Sequence, residues 1–293
     1  MNKKVNSEIA ARRFGFNMTL PTLVVLIFMT AYPFISTFIY SFTDYNYLKG
    51  ADRAKFILFD NYISLFKNSY FHQATCNTIV FTILAVLMEM LIGLAIAVLI
   101  NSLKKGQKIM RTLLLLPYLL PAVTVALSWR MMLSSNYGIV NQALKSMGLP
   151  IFNWFMDTRT AFVTILLIDV WQNVPFTFLL LYAALQSVPA DQYEAASIDG
   201  ARFFEKFFYI TIPNIKGSLA LCALLRTIDT FRLFEKVNVL TGGGPAGTTS
   251  TITQFLYNYG IKSLDFGFGS AGAIVMTIFV LILSAFYIKR AIQ

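Results

Sequence analysis

Charged positions along this chain are separated by long apolar runs. Phe14 to Thr43 holds no charged residue, Ser69 to Leu103 holds only Glu89, and Thr112 to Trp129 holds none before Arg130. Thr160 to Ala190 holds only Asp169, and Phe266 to Ile288 holds none. A run of about 18 apolar residues is long enough to cross a bilayer as a helix. Five crossings are predicted on that ground. A sixth stretch, Gly217 to Thr241, is uncharged to Leu225 and then carries Arg226, Asp229, Arg232, Glu235 and Lys236. The pattern predicts an all-α polytopic membrane protein. It has a short segment over 1–13 and a membrane domain over 14–293, with spans near 17–42, 74–101, 112–133, 160–187, 217–240 and 266–288.

Composition agrees: 57% of the 293 residues are hydrophobic and 13% are charged, about half the charged share of soluble domains. The net charge of +10 suits nucleic acid or membrane topology, and the positions of the cations decide for topology, with no nucleic-acid partner expected. With six spans, thirteen cations fall on one side, among them Lys3, Lys4, Arg12, Arg13, Lys104, Lys105, Lys108, Arg111, Arg202, Lys206, Lys216, Lys289 and Arg290. Seven fall on the other: Lys49, Arg53, Lys55, Lys67, Lys145, Arg159 and Lys262. The richer side is expected to be cytoplasmic, which puts both termini inside a bacterial inner membrane and the 188–216 segment in the cytoplasm. The first apolar run is longer than a signal-peptide core and lacks a small-residue cleavage site, so an uncleaved anchor is expected. Cys76 and Cys222 have no CxxC partner and read as packing residues.

The 188–216 segment contains Glu194-Ala195-Ala196, a strong helix former, with Asp191 as expected N-cap and Gly200 suited to end the helix in a left-handed conformation. Phe203, Phe204, Phe207 and Phe208 then share one face, with Arg202, Glu205 and Lys206 opposite, as in a helix lying along a membrane surface. The small-residue helix before them reads as a docking element. Glu194-Ala195-Ala196, Asp199-Gly200 and Ile210-Thr-Ile-Pro213 resemble the EAA loop of ABC importer permeases. Pro117-Tyr-Leu-Leu-Pro121 with Trp129, Tyr137-Gly-Ile-Val-Asn141-Gln-Ala-Leu144 and Leu240-Thr-Gly-Gly-Gly-Pro245 resemble the carbohydrate-uptake branch of that family.

The resemblance implies a type I importer permease fold. It implies a coupling helix gripped by a cytoplasmic ABC ATPase present in two copies, a second permease that is a different chain, and an extracytoplasmic solute-binding protein. It also implies that Glu194, Ala195, Ala196, Asp199, Gly200 and Pro213 couple the two. The short stretch from Asp44 to Tyr70 has no room for the large periplasmic insertion of some members.

Chemistry on the chain itself is not expected. Gly242 to Thr249 has a GxxxxG spacing, but Thr248 stands where a phosphate-binding lysine would be. That loop is expected outside, near a cavity mouth. His72 has no acidic or cysteine cluster beside it, and neither metal nor cofactor is expected. Asp169, Gln172, Asn173 and Phe176 fall on one helical face, and Arg226, Asp229 and Thr230 on another. Ionisable residues inside a span cost about 2.5–3.5 kcal/mol each on insertion scales and so tend to face a cavity or each other. These seven are the expected solute path, with Pro175 freeing a carbonyl beside it. Pairing of Arg226 with Asp229 and of Arg232 with Glu235 stays open, as does a helix-contact or gating role for Glu89. A sugar fits such a face, and an unpaired Arg226 would favour an acidic one. The alternative is a secondary transporter of a polar solute, for which the internal repeat usual in that class is missing.

Overall fold

The computed structural model describes residues 2–50, 54–103 and 105–292, with side chains from Phe14 onward except at 288 and 290–292. Arg53 and Lys104, and the side chains of Lys3, Lys4, Arg12, Arg13 and Arg290, lie outside the described residues. The helices are α1 (Asn2–Tyr40), α2 (Asp60–Lys67), α3 (Ser69–Asn101), α4 (Gln107–Leu119), α5 (Ala122–Met132), α6 (Ile139–Ser146) and α7 (Ala161–Gln186). They continue with α8 (Ala190–Ile198), α9 (Phe203–Lys206), α10 (Ile212–Phe231), α11 (Glu235–Leu240), α12 (Ile252–Leu256) and α13 (Phe266–Ile292). Among the described residues, five helical stretches are long and apolar enough to cross a membrane, and α4 with α5 make a sixth if that bent pair is one span. Within each of these helices the backbone groups bond along the same segment, which is what a lipid solvent demands.

Two compact units divide the chain: Met1–Lys67 with Tyr259–Val275, and Asn68–Asn258 with Met276–Gln293. In the first, the apolar part of α1 has no side chain buried in its most hydrophobic window. Asn61 donates from Nδ2 to the carbonyls of Ser41 (3.0 Å) and Thr43 (2.8 Å), which ties α2 to the end of α1. Helix α1 begins at Asn2, well before the expected start of the first span, because Glu8, Ala10, Ala11, Arg12 and Arg13 favour helix as much as the apolar run does.

In the second unit α3 packs along α7. Gly93 makes this possible, since a Cβ there would lie 2.7 Å from Thr177 Cγ2 and 3.0 Å from the Phe178 amide nitrogen. Small residues are what let membrane helices approach so closely. Gly93→Val is expected to push α3 from α7 and to cost about 1–3 kcal/mol as an overpacked contact, seen as a lower thermal midpoint of the detergent-purified protein. An unchanged midpoint would show that α3 and α7 can separate freely.

Three expected elements differ. The third span is broken: α4 and α5 meet at 89°. Pro121 forces Leu120 into an extended conformation (φ −80°, ψ 137°) and cannot donate back along α4. The fifth span breaks after Phe231, and Arg232 to Phe234 are non-helical before α11 starts. At the other end, the phenylalanine-rich stretch is not a separate surface helix. Helix α9, a π-helical turn over Phe207–Thr211 and α10 run on without interruption, so residues 203–216 belong to one helical rod with the rest of α10. The π register carries Ile212 N–H to the Phe207 carbonyl, a widening that relieves the crowding Pro213 would otherwise cause one turn back.

Candidate functional site

Helix α7 turns Asp169, Gln172 and Asn173 to one side, and α10 turns Arg226, Asp229 and Thr230 to the same space. The break after α10 returns the chain so that Arg232, Glu235 and Lys236 also line it. Tyr118 and Ala122, on either side of the α4–α5 bend, complete a cavity of about 410 Å³, within the roughly 300–1,000 Å³ usual for small-molecule sites.

Each break is held by side chains. Gln172 Nε2 donates to the Leu120 carbonyl freed by the bend, at 2.8 Å. The Leu233 carbonyl, freed by the second break, accepts from Thr251 Oγ1 at 2.9 Å and Thr253 Oγ1 at 2.5 Å. Non-helical backbone at membrane depth survives only where such partners exist or where it borders a wet cavity, and here both conditions hold.

Charge in the wall is organised into a network. Arg226, 2% exposed, grips Glu89 of α3 with two bonds, Nε to Oε2 at 2.6 Å and Nη2 to Oε1 at 3.0 Å. Its Nη1 bonds Asp229 Oδ2 at 2.6 Å and its Nη2 also reaches Thr230 Oγ1 at 3.2 Å. Lys236 Nζ meets Asp169 Oδ1 at 2.5 Å, and Asn173 Nδ2 donates to the same oxygen at 3.0 Å. Asp169 Oδ2 stands 4.0 Å from Arg226 Nη2. This oxygen and Gln172 Oε1 are buried and have no hydrogen-bond partner among the described residues. Unfilled acceptors at the wall of a cavity favour a ligand that brings O–H donors.

Six of the seven residues expected on the solute path line this cavity. Phe176 does not; it stacks behind Tyr118, ring centroids 5.3 Å apart, and Tyr118 presents the aromatic surface. Arg226 is fully paired, so the direct anion contact expected of a free Arg226 is closed. Arg232 and Glu235 are exposed and, among the described residues, form no ion pair with each other, because the break falls between them and removes the i, i+3 geometry. Lys236 and Tyr118 were not singled out by the sequence, although Tyr118 lies inside the Pro117–Pro121 motif that marks the bend.

The segment before α9 forms α8, which leaves no residue buried. Asp191 sits in its first turn and Pro189 is the N-cap, without a side-chain cap, because the proline's extended backbone already sets the entry. Gly200 has φ +79°. Its N–H bonds Ser197 O and the Ala201 N–H bonds Ala196 O, the paired pattern that closes a helix through a left-handed residue. Three side-chain bonds fasten α8 to the rod that becomes α10: Tyr193 Oη with Thr211 Oγ1 at 2.9 Å, Asn214 Nδ2 to Gln192 Oε1 at 2.7 Å, and Lys206 Nζ to Ser197 Oγ at 2.8 Å.

The glycine-rich turn over 242–249 is tied inward. Thr249 Oγ1 donates to the Gly244 carbonyl at 2.6 Å and Thr248 Oγ1 to that of Pro245 at 2.7 Å. From α3, Asn77 Nδ2 holds the carbonyls of Gly247 (2.9 Å) and Ser250 (3.0 Å). The N–H groups that a phosphate cradle would turn to its ligand bond backbone carbonyls instead, Gly242 to Val237, Gly244 to Thr241 and Thr248 to Pro245. Cys76 is exposed and Cys222 buried, both free thiols, and no group of metal-binding side chains occurs among the described residues.

Comparison with known proteins places this arrangement. The chain is 36% identical over 292 residues to the trehalose/maltose transport system permease protein MalF of Thermococcus litoralis, covering 99% of this chain and 98% of that protein. It is 32% identical over 282 residues to the sulfoquinovosyl glycerol transport system permease protein SmoG of Agrobacterium fabrum, covering 96% and 91%. Its fold matches a chain of a bacterial ABC transporter involved in import of the acidic polysaccharide alginate, with a TM-score of 0.86, 22% identity and 98% of each chain covered. Residues 89–292 match the model of the binding-protein-dependent transport system inner membrane components. The chain belongs to that family and is a multi-pass inner-membrane permease subunit of an ABC transporter.

Proposed function

We propose that this subunit forms one half of the translocation path of an importer for a neutral sugar or short oligosaccharide, driven by ATP hydrolysis on separate subunits. The observation that carries it is the cavity between α7 and α10. It offers unfilled buried acceptors on Asp169 and Gln172 beside the ring of Tyr118. Sugars present O–H donors at their rim and C–H groups on their faces, which such a wall matches. The trehalose/maltose relative supports the same class.

Helix α8 is the element that would engage the ATPase. A nine-residue helix with no buried residue and with Ile198 88% exposed is too short to be stable alone in water, and a partner's cleft would cover it. The thirteen-cation side, which includes Lys206 bonded to Ser197 of this helix and Arg202 just after it, would then be cytoplasmic, with both termini inside. Closure of two ATPase copies would move α8. Its ties to Thr211 and Asn214 would carry the motion into the rod bearing Arg226, Asp229 and Thr230, shifting the path between two packings. A second, different permease would supply the facing wall, and an extracytoplasmic binding protein would deliver the solute.

A second reading, an acidic sugar, is favoured by one observation: Arg232 lines the cavity, is exposed and has no acidic partner within ion-pair distance among the described residues. Reconstitution in proteoliposomes with both permeases, the ATPase and the binding protein tests the reading. Uptake of radiolabelled maltose, trehalose or a uronate disaccharide is expected to require enclosed ATP and the ATPase subunits. Uptake without the ATPase would favour a secondary transporter.

A further inference from the structure

We propose that Asp229 sets the charge preference of this cavity by masking the one edge of Arg226 left on its open side. This rests on the carbohydrate reading of the same cavity. The guanidinium is fixed from behind: Nε and Nη2 are held by Glu89, which is 0% exposed, and Nη2 is held again by Thr230. Only Nη1 is turned elsewhere, and it meets Asp229, whose side chain is 60% exposed while that of Arg226 is 2% exposed. Both groups line the cavity, but the carboxylate is far more exposed to it than the guanidinium that it covers.

The charge balance makes this consequential. Asp169, Asp229 and Glu235 on the lining face Arg226, Arg232 and Lys236, an even balance, with Glu89 as a further acid behind the wall. Lys236 is taken by Asp169. Asp229 is therefore the group whose negative charge decides whether the Arg226 guanidinium is available to a carboxylate. Guanidinium edges bind carboxylates with paired, charge-assisted bonds, so unmasking this edge adds a second guanidinium beside the exposed Arg232 for an anionic sugar to meet.

Asp229→Asn keeps the shape and an acceptor for Nη1 but removes the charge. Equilibrium dialysis of the detergent-purified permease–ATPase complex, without binding protein so that delivery does not filter the sugars, compares radiolabelled maltose with digalacturonate. The wild type is expected to favour maltose, and Asp229→Asn to shift the affinity ratio toward digalacturonate by roughly tenfold or more, the worth of one charge-assisted bond. The double variant Glu89→Gln with Arg226→Gln leaves Asp229 charged without its guanidinium and is expected to move the ratio the opposite way. It also decides the matter if Asp229→Asn fails to assemble.

A ratio unchanged in either assembled variant, or an equal loss for both sugars, overturns the role of Asp229 while leaving the carbohydrate reading intact. A wild type that binds neither sugar overturns that reading and this proposal with it.

Discussion

Arg226→Leu is expected to cost the folded protein about 3–5 kcal/mol, the usual penalty for stranding one partner of a buried ion pair. The whole stability of a domain is roughly 5–15 kcal/mol, so most of the variant should be lost from the monodisperse fraction of a detergent extract. The stranded group is Glu89. Its carboxylate is 0% exposed, and both of its recorded side-chain bonds go to Arg226. Asp229, by contrast, is 60% exposed and can turn to water in the cavity.

Changing both partners, Glu89→Leu with Arg226→Leu, removes the stranded charge and replaces a costly pair by apolar contact between α3 and α10. Such replacements are often neutral in stability. The double variant should therefore regain most of the lost midpoint on fluorescence-detected size exclusion. A double variant whose loss equals the sum of the Arg226→Leu and Glu89→Leu losses would mean that the two residues act independently, and the 2.6 Å contact would not be their main interaction.

That pair also marks where sequence reading ends. The face of α7 was legible because Asp169, Gln172 and Asn173 recur at helical spacing, and only a helix aligns them. The Arg226–Asp229 bond was legible as a neighbour one turn away on the same helix. Glu89 lies 137 positions from Arg226, and nothing local in the chain relates them; the contact exists because Gly93 lets α3 and α7 close up and brings α3 to α10. Lys236 escaped because a continuous fifth span puts it at the membrane edge. The break at Arg232–Phe234 depends on two threonine hydroxyls about twenty residues further on. The prolines at 117 and 121 announced irregular backbone, but the 89° bend needed the Gln172 side chain across the cavity to accept its cost. Phe176 was placed on the path by period alone; its partner Tyr118 took the exposed position.

Gly200→Asp is expected to abolish uptake while the chain stays in the membrane at wild-type level. Gly200 has φ +79°, and a Cβ there meets nothing within 4 Å in this chain. Inside the subunit the substitution therefore costs only the left-handed strain of a residue with a Cβ, about 1–2 kcal/mol, with aspartate among the residues that tolerate it best. So small a local cost cannot by itself remove the protein. What it changes is the surface where α8 ends: a side chain and a charge appear beside Ala195, Ala196 and Asp199, where a small-residue face would let a partner backbone approach.

If α8 is only a connector, a surface change of this kind leaves transport within about twofold of wild type, since exposed substitutions usually shift stability by less than 0.5 kcal/mol beyond the backbone term. If it is the lever, ATP hydrolysis by the associated ATPase persists but no longer drives solute, and proteoliposome uptake falls to background. Measuring ATPase activity, membrane level and uptake on the same preparation separates the two. Full uptake in Gly200→Asp would leave the exposure of α8 without a function, and the ties of Tyr193, Gln192 and Ser197 to the α10 rod would then be structural alone.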